Sequence, residues 1–175
     1  MTKEKSDFHF KLMCLRFKLR DFFSPPLTML KEAGIKRGYK ILDFGCGFGS
    51  HSIIASKIIG VNGKVYSLDI NPLAINKIRN TIKKRKLKNI DTIQSDCKTS
   101  LPDNCIDVIL IYDVFHHIHN KSGVLEEFYR VLKKECILSF SDHHMDKEDI
   151  LLELTGKGLF KLKKENNKTF SFIKI

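Results

Sequence analysis

Residues 41–50 read Ile41-Leu42-Asp43-Phe44-Gly45-Cys46-Gly47-Phe48-Gly49-Ser50, an apolar run that passes through an acid into three alternating glycines. The pattern predicts a buried strand that breaks into a tight turn, with a helix following from Ser50. Glycine has no Cβ, so the backbone can adopt positive φ and a ligand can lie against the main chain. The N–H groups of the helix N-terminus can bind the same ligand. A purely structural turn is the competing interpretation, and the acid before the glycines favours a binding loop.

The spacing Asp43-x-Gly45-x-Gly47-x-Gly49 resembles the first motif of class I S-adenosylmethionine-dependent methyltransferases. It departs from the G-x-G-x-x-G fingerprint of dinucleotide-binding domains. The resemblance covers roughly residues 34–175 and extends to small-molecule methyltransferases of the quinone-biosynthesis type. It implies S-adenosyl-L-methionine as the cofactor. The donor-binding residues that it implies in this loop are Asp43, Gly45, Cys46, Gly47 and Gly49.

Length and composition fit one domain without a membrane span. The 175 residues are 42% hydrophobic, which is enough to bury a core. No apolar run reaches the ~18 residues of a spanning helix, and residues 1–7 lack a signal-peptide core, so we expect a cytoplasmic protein. The five cysteines are scattered without a CxxC pair, which is typical of reduced thiols. A thiol site for a soft metal is the competing interpretation.

The net charge of +11 favours contact with nucleic acid, anionic lipid or an acidic substrate. The lysines, however, are spread over the surfaces of predicted helices, so a solvated basic surface is the favoured interpretation. The segment after Tyr112 contains neither the Asn/Asp-Pro-Pro-aromatic element of exocyclic amino methyltransferases nor the Pro-Cys nucleophile of cytosine C5 enzymes. Nucleic acid is therefore a less favoured partner than a small-molecule acceptor. The sequence predicts no particular oligomeric state.

The segment Phe8–Phe23 carries apolar residues at helical spacing with lysine and arginine between them. It predicts an amphipathic helix that ends at Ser24-Pro25-Pro26. In the methyltransferases that the chain resembles, this segment often covers the substrate pocket. Residues 1–33 are therefore expected to form a helical lid, and residues 34–175 the S-adenosylmethionine-binding domain. A helix packed on the core and a membrane-surface helix, which would allow peripheral membrane contact, are the alternatives.

Strands and helices alternate along the rest of the chain. The predicted strands span 40–44, 64–69, 90–95, 106–112 and 135–141. The predicted helices span 27–33, 50–59, 72–86, 121–133 and 146–154. Such alternation implies a parallel sheet covered on both faces, and residues 159–175 predict a hairpin. The fold class is thus α/β, a Rossmann-like, mostly parallel seven-stranded sheet with helices on both faces and a C-terminal antiparallel β-hairpin. The resemblance places the last strand beside strand five.

Polar residues follow the strand ends, where open α/β sheets bind ligands. Asp69 ends strand two, and its carboxylate can accept hydrogen bonds from both hydroxyls of a ribose. Capping of the next helix is the alternative, although Asn71 fits that position better. The resemblance implies that Asp96 accepts from the adenine amino group, that the Cys97 N–H reaches a ring nitrogen and that Ile70 packs on the adenine. A simple loop acid is the alternative for Asp96.

Acids and histidines follow strands four and five. Asp113 lies where the methyl group and its acceptor would meet, and five of the seven histidines come after these two strands. Because neutral imidazole has the pKa range of a general base, the predicted catalytic residues are Asp113, His116, His117 and His143. A divalent metal on Asp113, Asp142 and some of the histidines is one alternative, and simple loop histidines are the other. No metal ligand is assigned, since no fixed ligand spacing is present.

Together these features predict an S-adenosylmethionine-dependent methyltransferase that acts on a small-molecule acceptor by direct in-line transfer. A sulfonium is already a good leaving group, so the protein has mainly to align nucleophile, methyl and sulfur. Two other classes stay as alternatives. One is a catalytically silent binding or scaffold module whose basic face contacts RNA or anionic lipid. The other is a nicotinamide-dependent oxidoreductase, which the glycine spacing disfavours.

Overall fold

A computed structural model describes residues 26–175, which form one seven-stranded sheet flanked by helices. The helix predicted over Phe8–Phe23, and with it the lid, lies outside the described residues. The strands are β1 (Lys40–Phe44), β2 (Lys64–Asp69), β3 (Ile90–Gln94), β4 (Ile106–Tyr112), β5 (Leu132–Ser141), β6 (Phe160–Glu165) and β7 (Phe170–Lys174). The helices are α1 (Pro26–Glu32), α2 (Ser50–Ile59), α3 (Pro72–Arg85), the 3₁₀ helix Phe115–His117, α4 (Lys121–Val131) and α5 (Lys147–Thr155). None of these described helices is both long and apolar enough to cross a lipid bilayer.

The order of the strands in the sheet is β3-β2-β1-β4-β5-β7-β6. The first five strands along the chain pair in parallel with their neighbours, whereas β7 is antiparallel to both β5 and β6. The predicted fold class is confirmed, including the terminal hairpin and the position of the last strand beside β5. The strand order reverses between β1 and β4, and open α/β sheets bind ligands at the carboxyl ends of the strands next to such a reversal.

Both faces of the sheet are buried. Successive side chains of a strand point to opposite faces, so each central strand contributes to both apolar layers. Ile109 and Ile111 of β4 join Phe44 of β1 in an apolar cluster that α4, α5 and the terminal hairpin cover. Val108 and Leu110 of β4 belong to a second cluster on the other face, which α1 and α2 cover. These two packed layers hold the carboxyl ends of the parallel strands, where the polar residues lie, in one fixed register.

The junction between α4 and β5 differs from the prediction. The sequence predicts a helix to residue 133 and a strand from residue 135, whereas α4 gives way directly to β5 at Leu132. The pairing of the two strands shifts here, since Ile106 pairs with Leu132 but Val108 pairs with Ile137. Glu135 has φ 63° within this irregular stretch. Because a bulge removes the period-two alternation of a strand, the local pattern predicted the wrong first residue for β5.

Strands β3 and β6 form the two edges of the sheet. After its first residue, every side chain of β6 is exposed, including those of Lys161, Lys163 and Lys164. The end of the strand is tied to the start of α5 by an ion pair of 2.6 Å between Lys147 Nζ and Glu165 Oε2. The β6 edge therefore presents a strip of lysines beside its outer backbone groups.

Candidate active site

The loop between β1 and α2, which we call the glycine loop (residues 45–49), is held by backbone hydrogen bonds. Gly45, Gly47 and Gly49 have φ values of 72°, 53° and 81°. The N–H groups of Gly45 and Cys46 both donate to the carbonyl oxygen of Leu68 in β2, at 2.8 and 2.9 Å. The end of β2 therefore sets the position of the loop that follows β1.

Two of these glycines also lack room for a side chain. A Cβ on Gly45 would lie 2.8 Å from the methyl carbons of Val114. A Cβ on Gly49 would lie 2.4 Å from Cδ1 of Ile78, which is fully buried in α3. Such distances are shorter than any relaxed carbon–carbon contact, so the glycines allow the loop to pack against α3 and against the segment after β4.

Asp43 lies beneath the glycine loop, with 3% of its surface exposed. Its Oδ2 accepts a hydrogen bond of 2.5 Å from Ser52 Oγ, which lies 2.7 Å from Ser67 Oγ. This buried chain of polar groups connects β1, α2 and β2 under the loop. Sequence reasoning missed both serines, because neither belongs to a motif. The structure places Asp43 at the base of the predicted donor site, and its direct contact with a cofactor stays a prediction.

Asp69 joins the glycine loop to the start of α3. Its Oδ2 accepts from the Gly47 N–H and its Oδ1 from the Asn71 N–H, both at 2.8 Å. The side chain of Asn71 accepts from the Leu73 N–H at 2.9 Å, so the asparagine caps α3 as the sequence indicates. An ionised carboxylate has about four lone-pair sites. Asp69 therefore retains acceptor capacity for a ligand after holding the loop.

A cleft of about 240 Å³ opens at the carboxyl ends of the parallel strands. The predicted residues that line it are Gly45, Asp69, Ile70, Asp96, Cys97 and His117. Ile70 is 66% exposed, and the Cys97 N–H donates to Ser95 Oγ at 3.2 Å. His119, one of the five histidines noted after β4 and β5, also lines the cleft, and sequence reasoning missed Ser95, Val114, Ile118 and Asn120.

The other predicted residues do not line this cleft. Cys46, Gly47 and Gly49 shape the loop behind it, and Asp113, His116 and His143 follow β4 and β5. A larger cavity, of about 400 Å³, lies at the amino ends of the strands and contains none of the predicted site residues. We therefore take the carboxyl-end cleft, with the residues after β4 and β5, as the candidate active site.

Glu127 of α4 anchors the segment that follows β3. Its Oε1 accepts from the N–H and Oγ1 of Thr99, at 2.8 and 2.6 Å, and from Nη2 of Arg130 at 2.8 Å. Hydrogen bonds from Arg130 and Thr99 outweigh the effect of burial and lower the pKa of Glu127 to about 2. Glu127 thus fixes the loop that carries Asp96 and Cys97. Sequence reasoning missed this contact, because nothing local to Glu127 indicates a partner in a distant loop.

Four imidazoles lie side by side in a row across the ends of β4 and β5, with their rings tilted against one another. The ring centroids lie 3.9 Å apart for His117 and His116, 4.3 Å for His116 and His144, and 3.9 Å for His144 and His143. We call these four residues the histidine row. The row includes all three histidines predicted to be catalytic, and its position next to the cleft depends on the pairing of β4 with β5.

Two carboxylates hold the histidine row. Asp142 accepts from the backbone N–H of His116 at 3.1 Å, lies 2.8 Å from its Nδ1, and accepts from the His144 N–H at 3.1 Å. Oδ1 of Asp113 accepts from the His143 N–H at 3.2 Å and lies 2.7 Å from its Nδ1. Each pairing leaves Nε2 as the ring atom of His116 and His143 that can exchange a proton.

The pKa shifts of the groups in and near the histidine row agree with these contacts. Burial raises the pKa of the Asp142 carboxyl, but the hydrogen bonds from His116 and His144 outweigh burial, and the pKa lies below its usual value. Desolvation and the neighbouring imidazoles of His143 and His116 lower the pKa of His144. Burial, with Asp43 and Asp69 nearby, raises the pKa of the Cys46 thiol well above its usual value. Cys46 is therefore a neutral thiol whose backbone, not its sulfur, shapes the loop.

Comparison with known proteins gives a family and a fold. A family model described as a methyltransferase domain matches residues 35–172. A solved structure, an S-adenosylmethionine-dependent methyltransferase from Aquifex aeolicus, is similar with a TM-score of 0.77 and 27% sequence identity. The similarity covers 85% of this chain and 89% of that one.

Curated relatives match a shorter part. A demethylmenaquinone methyltransferase from Geobacillus sp. (strain WCH70) is 30% identical over 59% of this chain and 45% of its own length. A ubiquinone/menaquinone biosynthesis C-methyltransferase from Azotobacter vinelandii is 32% identical over 64% of this chain and 46% of its own length. The chain therefore spans less than half the length of these two relatives.

Proposed function

The chain belongs to the methyltransferase domain family, and from that premise we propose that it is an S-adenosylmethionine-dependent methyltransferase of a small-molecule acceptor. One observation carries the proposal. The ends of β1, β2 and β3 bring Gly45 of the glycine loop, Asp69 and Asp96 into a single cleft, at the point of the sheet where ligands bind. The resemblance to methyltransferases that the glycine spacing indicates is confirmed at the level of the family.

In the proposed complex the donor lies along this cleft. Asp69 accepts hydrogen bonds from the two ribose hydroxyls, while its contact with the glycine loop keeps the loop in place. Ile70, which is exposed at the edge of the cleft, packs on the adenine ring, and the contact removes apolar surface from water. Asp96 accepts a hydrogen bond from the adenine amino group. The Cys97 N–H, which now donates to Ser95 Oγ, donates to a ring nitrogen of the adenine instead. The backbone of the glycine loop then lies against the methionine part of the donor.

Methyl transfer itself needs alignment more than covalent chemistry. Positioning can supply ~7–11 kcal/mol of barrier reduction. Asp113, His117 and His143 border the acceptor, and His116, held at Nδ1 by Asp142, is the proposed general base. A bound donor would supply an electrophilic methyl group to the acceptor atom and retain the electron pair of the broken carbon–sulfur bond, and Nε2 of His116 would take the proton that leaves the acceptor.

The acceptor class is the finer part of the proposal. The names of the two curated relatives make demethylmenaquinone and related ring compounds the first acceptors to test. A cytoplasmic location is also proposed, because Cys46, Cys97, Cys105 and Cys136 are free thiols, as is usual in a reducing compartment.

A calorimetric titration with S-adenosylhomocysteine tests the donor site. Loss of a hydrogen-bonded charge is worth about 1.5–3 kcal/mol, so Asp69→Ala should weaken binding by about 10- to 150-fold. Asp91→Ala is the matched control, because Asp91 is an acid of neighbouring β3 that pairs with Lys64 and does not line the cleft. It should bind within about twofold of the wild type. No affinity of the wild type for S-adenosylmethionine or S-adenosylhomocysteine would contradict the proposal.

The same preparation separates the two other classes named from the sequence. Enhanced NADH fluorescence on mixing, without affinity for S-adenosylhomocysteine, would favour the nicotinamide-dependent oxidoreductase. Donor binding without turnover of any acceptor, together with salt-dependent binding of RNA or anionic vesicles, would favour the scaffold module.

A further inference from the structure

Three side chains at the ends of β4 and β5 form a candidate metal centre. One ligand atom from each of Asp113, Asp142 and His143 lies within 4.8 Å of the others. We propose that these three residues bind a divalent cation of borderline hardness, such as Mn²⁺, Co²⁺ or Zn²⁺, at the acceptor side of the cleft.

The backbone brings the two carboxylates together. Tyr112 and Ser141 are paired in the parallel register of β4 and β5, so Asp113 and Asp142 each follow directly at the same edge. The Asp113 N–H continues the pairing with a hydrogen bond of 2.8 Å to the Ser141 carbonyl oxygen. Asp113 has φ 54°, a left-handed angle that aspartate tolerates better than most residues. The chain therefore turns here and holds the Asp113 carboxylate beside His143.

The charges around the centre favour a cation. The chain has 31 lysines and arginines against 20 acids. Within residues 26–175, however, Asp113 and Asp142 form ion pairs only with the imidazoles of His143 and His116 and with no lysine or arginine, although their side chains are only 13% and 0% exposed. Buried carboxylates are normally paired with a positive group or coordinate a metal. Here the neighbouring groups are imidazoles, which are themselves metal ligands when neutral.

The ligands are oriented by a second layer of hydrogen bonds. Asp142 accepts from both the backbone N–H and the ring of His116 and from the His144 N–H. Such outer contacts fix the direction of a coordinating carboxylate and are typical of metal centres. His143, in contrast, is 63% exposed, so one side of the centre is open to water or to an acceptor.

The donor set decides the kind of metal. Two carboxylates and one imidazole suit Mn²⁺, Co²⁺ or Zn²⁺ better than Mg²⁺ or Ca²⁺, which prefer oxygen ligands alone. Donor atoms about 2.0–2.2 Å from an ion lie about 3.0–3.5 Å from one another. The 2.7 Å contact between His143 Nδ1 and Asp113 Oδ1 therefore widens on binding.

The metal centre would restrict which compounds can serve as the methyl acceptor, and this inference rests on the proposed function. Three protein ligands leave coordination positions for an oxygen atom. A metal-bound hydroxyl loses its proton more easily than a free one, and the proton can pass to the adjacent His116. The acceptors that fit are compounds whose methylated atom is a hydroxyl oxygen or lies next to one on an aromatic or enolic ring.

Metal titration of the full 175-residue chain, freed of metal with a chelator, tests the inference. Calorimetry with Mn²⁺ and Zn²⁺ and visible absorption with Co²⁺ should show one site, with Mg²⁺ binding more weakly. Asp113→Asn and His143→Gln should each weaken binding at least about tenfold. His144→Gln is the matched control, because it removes the adjacent imidazole of the row but no proposed ligand. It should leave the metal affinity within about twofold.

The outcomes are separable. Absence of stoichiometric binding by the wild type, or equal affinity in Asp113→Asn, His143→Gln and the control, would overturn the inference. Both variants are expected to fold, since asparagine tolerates positive φ and His143 is exposed, and circular dichroism checks this. S-adenosylhomocysteine is titrated in parallel. Metal binding without donor binding would contradict only the proposed function, and donor binding without metal binding would contradict only the metal centre.

Discussion

The two halves of the candidate active site differ in how they are built. The proposed donor half, at the ends of β1, β2 and β3, is shaped mainly by backbone, because the N–H groups of the glycine loop donate to the Leu68 carbonyl oxygen and the Asp69 carboxylate. The proposed acceptor half, at the ends of β4 and β5, is shaped by side chains, with two carboxylates holding the histidine row. A site made of backbone is fixed once the fold forms, whereas a site made of side chains can change by substitution on the same fold. The two halves should therefore respond separately to mutation.

The largest expected effect separates catalysis from donor binding. His116→Gln should lower the rate of methyl transfer by about 10²- to 10⁴-fold, because the proposed general base is lost. Its affinity for S-adenosylhomocysteine should stay within about twofold. Single-turnover rates with an acceptor and calorimetry on the same samples give the two quantities.

His144→Gln is the control for that experiment, since the ring of His144 pairs with no carboxylate among residues 26–175. Its rate should fall by no more than about threefold. If His116→Gln weakened donor binding as strongly as it slowed transfer, the two halves would not be independent, and the comparison would fail.

A smaller effect, on stability and donor binding, is expected from adding a side chain to the glycine loop. Gly49 and Gly38 both have φ 81°, but a Cβ on Gly38 meets nothing within 4 Å. Gly38→Ala should therefore lower the free energy of unfolding only by the left-handed backbone strain, about 1–2 kcal/mol. Gly49→Ala adds the clash with Ile78, about 1–3 kcal/mol more, and should abolish measurable donor binding. Denaturant unfolding and titration check both, and equal losses in the two variants would contradict the packing argument.

The smallest effect is expected from weakening the hydrogen bonds between Glu127 of α4 and the loop after β3. Glu127→Gln should cost about 2–3 kcal/mol of stability at pH 7, because charged hydrogen bonds to Thr99 and Arg130 are weakened. Donor affinity should also fall several-fold as the loop carrying Asp96 loosens. Glu126→Gln is the matched control: Glu126 is exposed, and its partners Ser122 and Lys157 lie at the surface. It should change stability by no more than about 0.5 kcal/mol.

The pH dependence of the Glu127 effect has a definite sign. The pKa of Glu127 in the folded protein, about 2, lies below its ordinary value of 4.5. The ionised carboxylate therefore contributes its full stability above about pH 5 and loses it as the pH falls toward 2. The stability difference between wild type and Glu127→Gln should shrink from pH 6 to pH 3. A difference that stays constant over this range would show that the charge of Glu127 is not what holds the loop.

The sequence predicted the fold, and it predicted where the residues of the proposed donor half lie in the sheet better than the contacts of the proposed acceptor half. The alternating glycines and the acid at the end of β2 are local signals, because backbone geometry and strand ends leave a pattern within a few residues. Asp113, His116 and His143 were also named from the sequence. Which carboxylate holds which imidazole could not be predicted, because that depends on the register of β4 and β5.

Contacts without a local pattern were missed altogether. The Ser52–Ser67 pair under the glycine loop joins a helix and a strand 15 residues apart, and each serine by itself resembles any small polar residue. The start of β5 at Leu132 was wrong for a related reason, since a bulge removes the alternation by which strands are recognised. Such features require the assembled sheet, and they are the ones on which the acceptor half and its support depend.

The lysines along β6 have a consequence for how the molecule behaves at high concentration. An edge strand with unpaired backbone groups is a template onto which another chain can add. If β6 of one molecule paired with β6 of a second, Lys161, Lys163 and Lys164 would meet the same lysines across the new ladder, and directly opposed like charges destabilise such pairing. Part of the excess positive charge of this chain thus acts against aggregation through the edge of the sheet.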